Sequence, residues 1–218
     1  MTTRSPLISA LITGPAFIAV AVVLSIAERD TLSSWGWTAL DHHGVPWPSA
    51  LAVTPLGFLQ SASFALTGVA LLALARRLRA ELPARRSATV AFGGLVLAGA
   101  GLVAAALPLD HPAGDPGELS SWLGSWHAVV HMTGFMAAAA GGLIAVVAVA
   151  LAARGVTPRL SRASAAVAVV SVLSLALPGA IGWYGFLAAY FGWTAALAGG
   201  GLGDLAPVVA VTAGERRR

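Results

Sequence analysis

The chain has 218 residues and 21.9 kDa, room for one domain or at most two small ones. Hydrophobic residues make up 57% and charged residues 10% of it, against roughly 45–50% and about 25% in ordinary soluble domains, so it cannot clothe itself in polar surface. A mean hydropathy of +0.82 and the absence of cysteine exclude an ordinary soluble domain, a disulfide framework and every thiolate-based site.

All thirteen basic residues are Arg, which with the Ala and Gly richness points to GC-rich bacterial coding more than to a function. The net charge of +4 and a pI near 11 suit membrane topology better than nucleic-acid binding, and no nucleic-acid partner is expected.

The first apolar run, 7–27, is long enough at 1.5 Å per residue to cross a hydrocarbon core of about 30 Å. A small-x-small trio at Ser25-Ile26-Ala27 resembles a cleavage site, but the run exceeds the roughly 7–15 residues of a signal-peptide core. It is read as span one. Further runs lie at about 50–75, 88–107, 126–152, 163–182 and 186–205. Each is continuously apolar instead of alternating, which favours lipid-crossing helices over a β-barrel. The expected fold is all-α, a polytopic six-transmembrane-helix bundle forming one integral domain over 1–218.

Twelve of the thirteen Arg residues, from Arg4 through Arg76, Arg77, Arg79, Arg85, Arg86, Arg154, Arg159 and Arg162 to Arg216–Arg218, occupy the leader, alternate loops and the tail. The positive-inside rule then places both termini in the cytoplasm of a bacterial inner membrane and demands an even number of spans. All seven Trp residues are expected in or near the outer half, where indole rings favour the headgroup boundary. The last span has two readings. If it stops near Gly203, Asp204 sits at the inner boundary; if it continues to Ala213, Asp204 is buried in the membrane, where a carboxyl marks a functional site.

In span four, His127, His131, Gly134, Ala138, Gly141 and Ala145 share one helical face. Small residues mark close approach of another helix, and span three carries a matching stripe at Gly94, Ala98, Gly101 and Ala105. The two spans are therefore expected to pair, with both imidazoles pointing into the bundle. Polar seams at Gln60, Ser63 and Thr67 in span two, and at Ser164, Ser171 and Ser174 in span five, read first as helix–helix contacts. Pro15, Pro55 and Pro178 are expected to bend or start helices.

All five His residues fall on the outer side: His42, His43, His111, His127 and His131. A His-x-x-x-His pair on a helix presents two imidazoles to one metal, and Asp110 or His111 in the preceding loop could complete a zinc site able to activate water. The bland alternative has the loop residues solvated and His131 donating to a backbone carbonyl. A Ser-His-Asp set from Ser120 or Ser121, His127 and Asp110 fits by residue type but lacks a Gly-x-Ser-x-Gly elbow.

Asp110 with Pro112 after the third span, then Gly124 and His127 opening the fourth, resembles the six-span prokaryotic membrane proteins gathered as domain of unknown function 998. Here His111 separates the Asp from the Pro, and no basic residue opens span six. The resemblance implies that Asp110 and His127 are the positions to test, and carries no activity. A more distant likeness, by residue type alone, is to the membrane hydrolases of the alkaline ceramidase and adiponectin-receptor group.

The expected function is that of an integral membrane protein of unknown role, with a polar pocket of Asp110, His127 and His131 at the outer ends of spans three and four. Its partners are the lipid bilayer and a lipid or small-molecule ligand. The alternatives are a metal-assisted intramembrane hydrolase, with His127, His131, Asp110 and His111 as ligands, a small-solute or proton transporter, and an accessory protein in which these residues only fix loop geometry.

Overall fold

The computed structural model describes residues 5–35, 45–82, 85–107 and 125–201. The described residues form α1 (Ser5–Ala27), α2 (Arg29–Ser34), α3 (Pro48–Leu51), α4 (Phe58–Glu81), α5 (Arg86–Ala105), α6 (Trp126–Ala152), α7 (Pro158–Leu175) and α8 (Gly179–Ala196), closed by a π-helical turn at Leu197–Gly201. Four of these, α4 to α7, are long and apolar enough to cross a membrane. With the apolar helices α1 and α8 beside them, the protein is an all-α polytopic membrane protein.

The long helices pack in a ring that follows chain order. Each of α4 to α8 lies against its predecessor among the long helices, and α8 returns to α1. The run at 50–75 divides between two elements: α3 covers its start, turns follow, and the long helix begins at Phe58. Pro55 lies in those turns. Gly57 closes them at a point where a Cβ would collide with the Ala52 carbonyl. Span five ends at Leu175, because Pro178 cannot extend the hydrogen-bond ladder and Gly179 takes a φ of 62°. α7 and α8 therefore form a tight helical hairpin. At the other end of α6, Ser125 accepts the Ala128 N–H at 3.2 Å and caps the first turn.

The small-residue stripes of α5 and α6 meet as expected. A Cβ added to Gly94 would lie 2.7 Å from the Gly141 carbonyl oxygen, and one added to Gly134 would lie 2.6 Å from that of Gly101. Backbone touches backbone along this seam. A second close approach, Gly68 against Gly99, joins α4 to α5. In hydrocarbon, where apolar surface gains nothing by leaving lipid, such contact of fixed backbones supplies the dispersion energy that holds helices together.

An aromatic layer fills the middle of the ring. Phe17 of α1 packs against Phe64 of α4 at 5.0 Å and Phe191 of α8 at 5.2 Å between centroids, while Phe135 of α6 stands 4.9 Å from Trp183 of α8. α7 contributes little to this core, burying only Leu160, Ser164 and Ser171. Val167 packs partly against the core, while Val169, Val170, Val172, Leu173 and Leu175 are exposed.

One tryptophan departs from the expected outer belt. Trp193 lies near the arginine-rich end of α8, is buried, and donates its indole N–H to Ser164 Oγ at 2.9 Å. A satisfied N–H inside the bundle removes the need for the headgroup boundary that places other indoles. Beyond it the Gly-rich segment widens into the π-helical turn, and Arg77 Nη1 donates to the Ala198 carbonyl at 3.2 Å. Asp204 lies outside the described residues.

Gly141→Val is expected to force α5 and α6 apart and to destabilise the protein by about 1–3 kcal/mol, the usual cost of overpacking. Gly93→Ala, where a Cβ meets nothing within 4 Å, should be neutral or stabilising by up to about 1 kcal/mol through helix propensity. Thermal unfolding of both variants in one detergent compares them.

Candidate functional site

The segment 45–57 folds into one end of the ring instead of running over it. Pro46, Pro48, Ala50, Leu51 and Thr54 are buried, and Ala50 and Leu51 pack with Ala21, Leu24 and Leu32 in a small second core. Irregular backbone is tolerated at such a place because protein, not lipid, surrounds it. Tyr184 donates its hydroxyl to the Pro46 carbonyl at 3.2 Å, and Trp47 lies 6.5 Å from Trp183 between ring centroids. The segment is thus pinned to α8 at two points.

Its third anchor is a carboxylate. Glu28, 6% exposed between α1 and α2, accepts the Leu56 backbone N–H at 2.8 Å on Oε1 and the Thr31 hydroxyl at 3.2 Å on Oε2. Leu56 is the first residue after Pro55, in the turns before α4, where no helical acceptor exists for its N–H. The charged acceptor makes this hydrogen bond stronger than a neutral one.

So held, α3 places Ser49 against α6. Ser49 Oγ and His131 Nε2 share a hydrogen bond of 2.7 Å across 82 residues of sequence. His131 is fully buried, five residues into α6 and so about 7–8 Å below its start. Its ring stands edge-on to Phe64 at 5.6 Å. The Ala105 carbonyl, near the end of the glycine seam, lies close to the ring, but Nδ1 has no partner in hydrogen-bond geometry among the described residues. One turn outward of Phe64 on the same face of α4, Gln60 is fully buried with neither amide atom hydrogen-bonded among the described residues. Three polar atoms without partners among the described residues, the Gln60 oxygen and nitrogen and His131 Nδ1, thus belong to a residue one turn from Phe64 and to the imidazole that Phe64 touches. Buried polar atoms left unpaired cost about 1–3 kcal/mol each, so native structures keep them where water or a ligand completes them.

Of the residues anticipated from sequence, His131 sits at the centre of this cluster. His127 is half-buried one turn outward, its ring 3.7 Å from that of Trp126. Asp110 and His111, with the serines of the same loop, lie outside the described residues, as do His42 and His43. No group of three His, Asp or Glu side chains converges among the described residues. Ser49 and Glu28 were not singled out in the sequence, and Gln60 was read as a packing contact. The signal for Gln60 was an amide inside an apolar run; Ser49 and Glu28 carried none, since their roles depend on how the outer segment folds back.

Ser49→Ala is expected to lower stability by about 1–3 kcal/mol, leaving the imidazole with neither nitrogen partnered. Asp30→Ala, an exposed position next to Glu28, should stay within about 0.5 kcal/mol. Parallel thermal unfolding of the two purified variants checks the contrast.

A family model described as "Protein of unknown function (DUF998)" matches residues 48–212, from the Pro48-Ser49 start of α3 through α8. No curated protein and no solved structure matches the chain.

Proposed function

The chain belongs to the DUF998 family of unknown function, and we propose that it is a six-span protein of the bacterial inner membrane, with both termini cytoplasmic, that holds a small polar ligand or an amphiphile headgroup in an outer-side site around His131. The carrying observation is the Ser49–His131 bond set beside the unpartnered Nδ1 of His131 and the unpartnered amide of Gln60. An apolar filling would be cheaper than such a set unless something completes it. In this reading Asp110, His111 and His127 form the mouth of the site. The ligand enters past the 45–57 segment, which side-chain bonds such as Tyr184 to Pro46 and Glu28 to Leu56 hold in place.

A second reading, metal-assisted hydrolysis of a lipid or amphiphile, draws support from His131 Nδ1, without a partner among the described residues, lying one helical turn from His127. Zinc would need Asp110 or His111 to complete a three-ligand set, and would there polarise a carbonyl or activate a water.

Metal content of the detergent-purified protein, measured by plasma mass spectrometry, separates the two readings. Near-stoichiometric zinc lost in both His127→Ala and His131→Ala supports the hydrolase. Metal-free protein that carries an additional bound mass in native mass spectrometry, lost in Gln60→Leu, supports the ligand site. Gln60→Leu that instead stabilises the protein and removes nothing bound would mean that the amide faces an empty, desolvated cavity, and would overturn both.

The cysteine-free sequence makes topology directly testable. Ser34→Cys should react with a membrane-impermeant maleimide in cells whose inner membrane is intact. Ala80→Cys should react only after that membrane is permeabilised.

A further inference from the structure

At the end of the bundle opposite His131, α5 and α6 flank an open groove of about 320 Å³ lined by Ser87, Val90, Leu143, Ile144, Val147 and Leu151. Apart from the Ser87 hydroxyl its wall is hydrocarbon, and Val90, Ile144, Val147 and Leu151 are each exposed toward the bilayer. Its mouth is cationic. Arg85 and Arg86 directly precede Ser87, and Arg154 follows Leu151 by three residues. Arg85 Nη1 donates to the Arg154 carbonyl at 3.4 Å, which draws the two sides of the mouth together.

Three neighbouring cations are otherwise engaged. Arg77 pairs with Glu81 and caps the Ala198 carbonyl, Arg79 stacks over Phe92 at 4.9 Å, and Arg162 donates to the Pro158 carbonyl. The guanidinium groups of Arg86 and Arg154 have no partner among the described residues, and α5, α6 and α7 contain no acidic residue. Among the described residues, positive charge at the mouth is therefore uncompensated, directly beside a slot of acyl-chain character.

We propose that this groove binds one anionic phospholipid, an acyl chain lying along Val90, Ile144 and Val147 and the phosphate held by Arg85, Arg86 and Arg154. Arginine suits the task because its planar fork donates two parallel hydrogen bonds to phosphate oxygens. Paired arginines between helices at the membrane boundary are also a recognised setting for acidic headgroups. The site is independent of the His131 reading, since it lies at the other end of the same helix pair.

The test is native mass spectrometry of the full chain, titrated with phosphatidylglycerol or phosphatidylcholine of identical acyl chains. Wild type should prefer phosphatidylglycerol. Each of Arg85→Gln, Arg86→Gln and Arg154→Gln should weaken that lipid by about fivefold and leave phosphatidylcholine unchanged. The control Arg76→Gln/Arg159→Gln/Arg162→Gln, which removes three charges where each variant removes one, should retain the preference. Equal loss in the control would reduce the effect to diffuse surface charge, and no preference in wild type would remove the site; either result overturns the proposal. Val90→Trp, at a lipid-facing position, fills the slot with every arginine intact. Unchanged phosphatidylglycerol binding in that variant would refute the groove as the acyl-chain seat.

Discussion

The contact on which this molecule depends is the approach of α5 to α6 along Gly94, Gly101, Gly134 and Gly141, where no side chain intervenes between the two backbones. A bundle in lipid cannot draw on the hydrophobic effect to bring helices together, because a leucine is as well solvated by acyl chains as by another helix. Shape must do it instead, and two helices without side chains along their shared line have the best shape available. Once that pair is set, Gly68 against Gly99 adds α4, and the Phe17, Phe64, Phe135 and Phe191 layer draws in α1 and α8.

Both ends of the seam acquire their chemistry from it. At the outer end it brings the Ala105 carbonyl of α5 close to the His131 ring of α6, so the imidazole stands inside the ring of helices and not on its lipid face. At its other end the same two helices flank an apolar groove with Arg85 bonded to the Arg154 carbonyl beside it.

The outer segment shows how a membrane protein accommodates irregular backbone. Between α2 and α4 the chain has to descend into the bundle and leave again, and every backbone group on that path needs a partner. Glu28 takes the Leu56 N–H, Tyr184 donates to the Pro46 carbonyl, and prolines at 46, 48 and 55 remove three donors that would otherwise have to be satisfied. The result is a stopper whose underside carries Ser49.

The residue order by itself determined that the chain lives in lipid, that it is helical, which end carries the positive charge, and that α5 and α6 pair. Each of these follows from composition or from a period along one helix, and both are local quantities. His131 pointing inward was legible for the same reason, since it shares a face with Gly134 and Ala138. Only the tertiary structure decided that the run at 50–75 is not one helix, that Trp193 satisfies its indole on Ser164, and that Ser49 and Glu28 reach their partners across 82 and 28 residues. Those outcomes depend on where a connecting segment comes to rest. That resting place is set by packing against α1 and α8, and no periodicity within the segment encodes it.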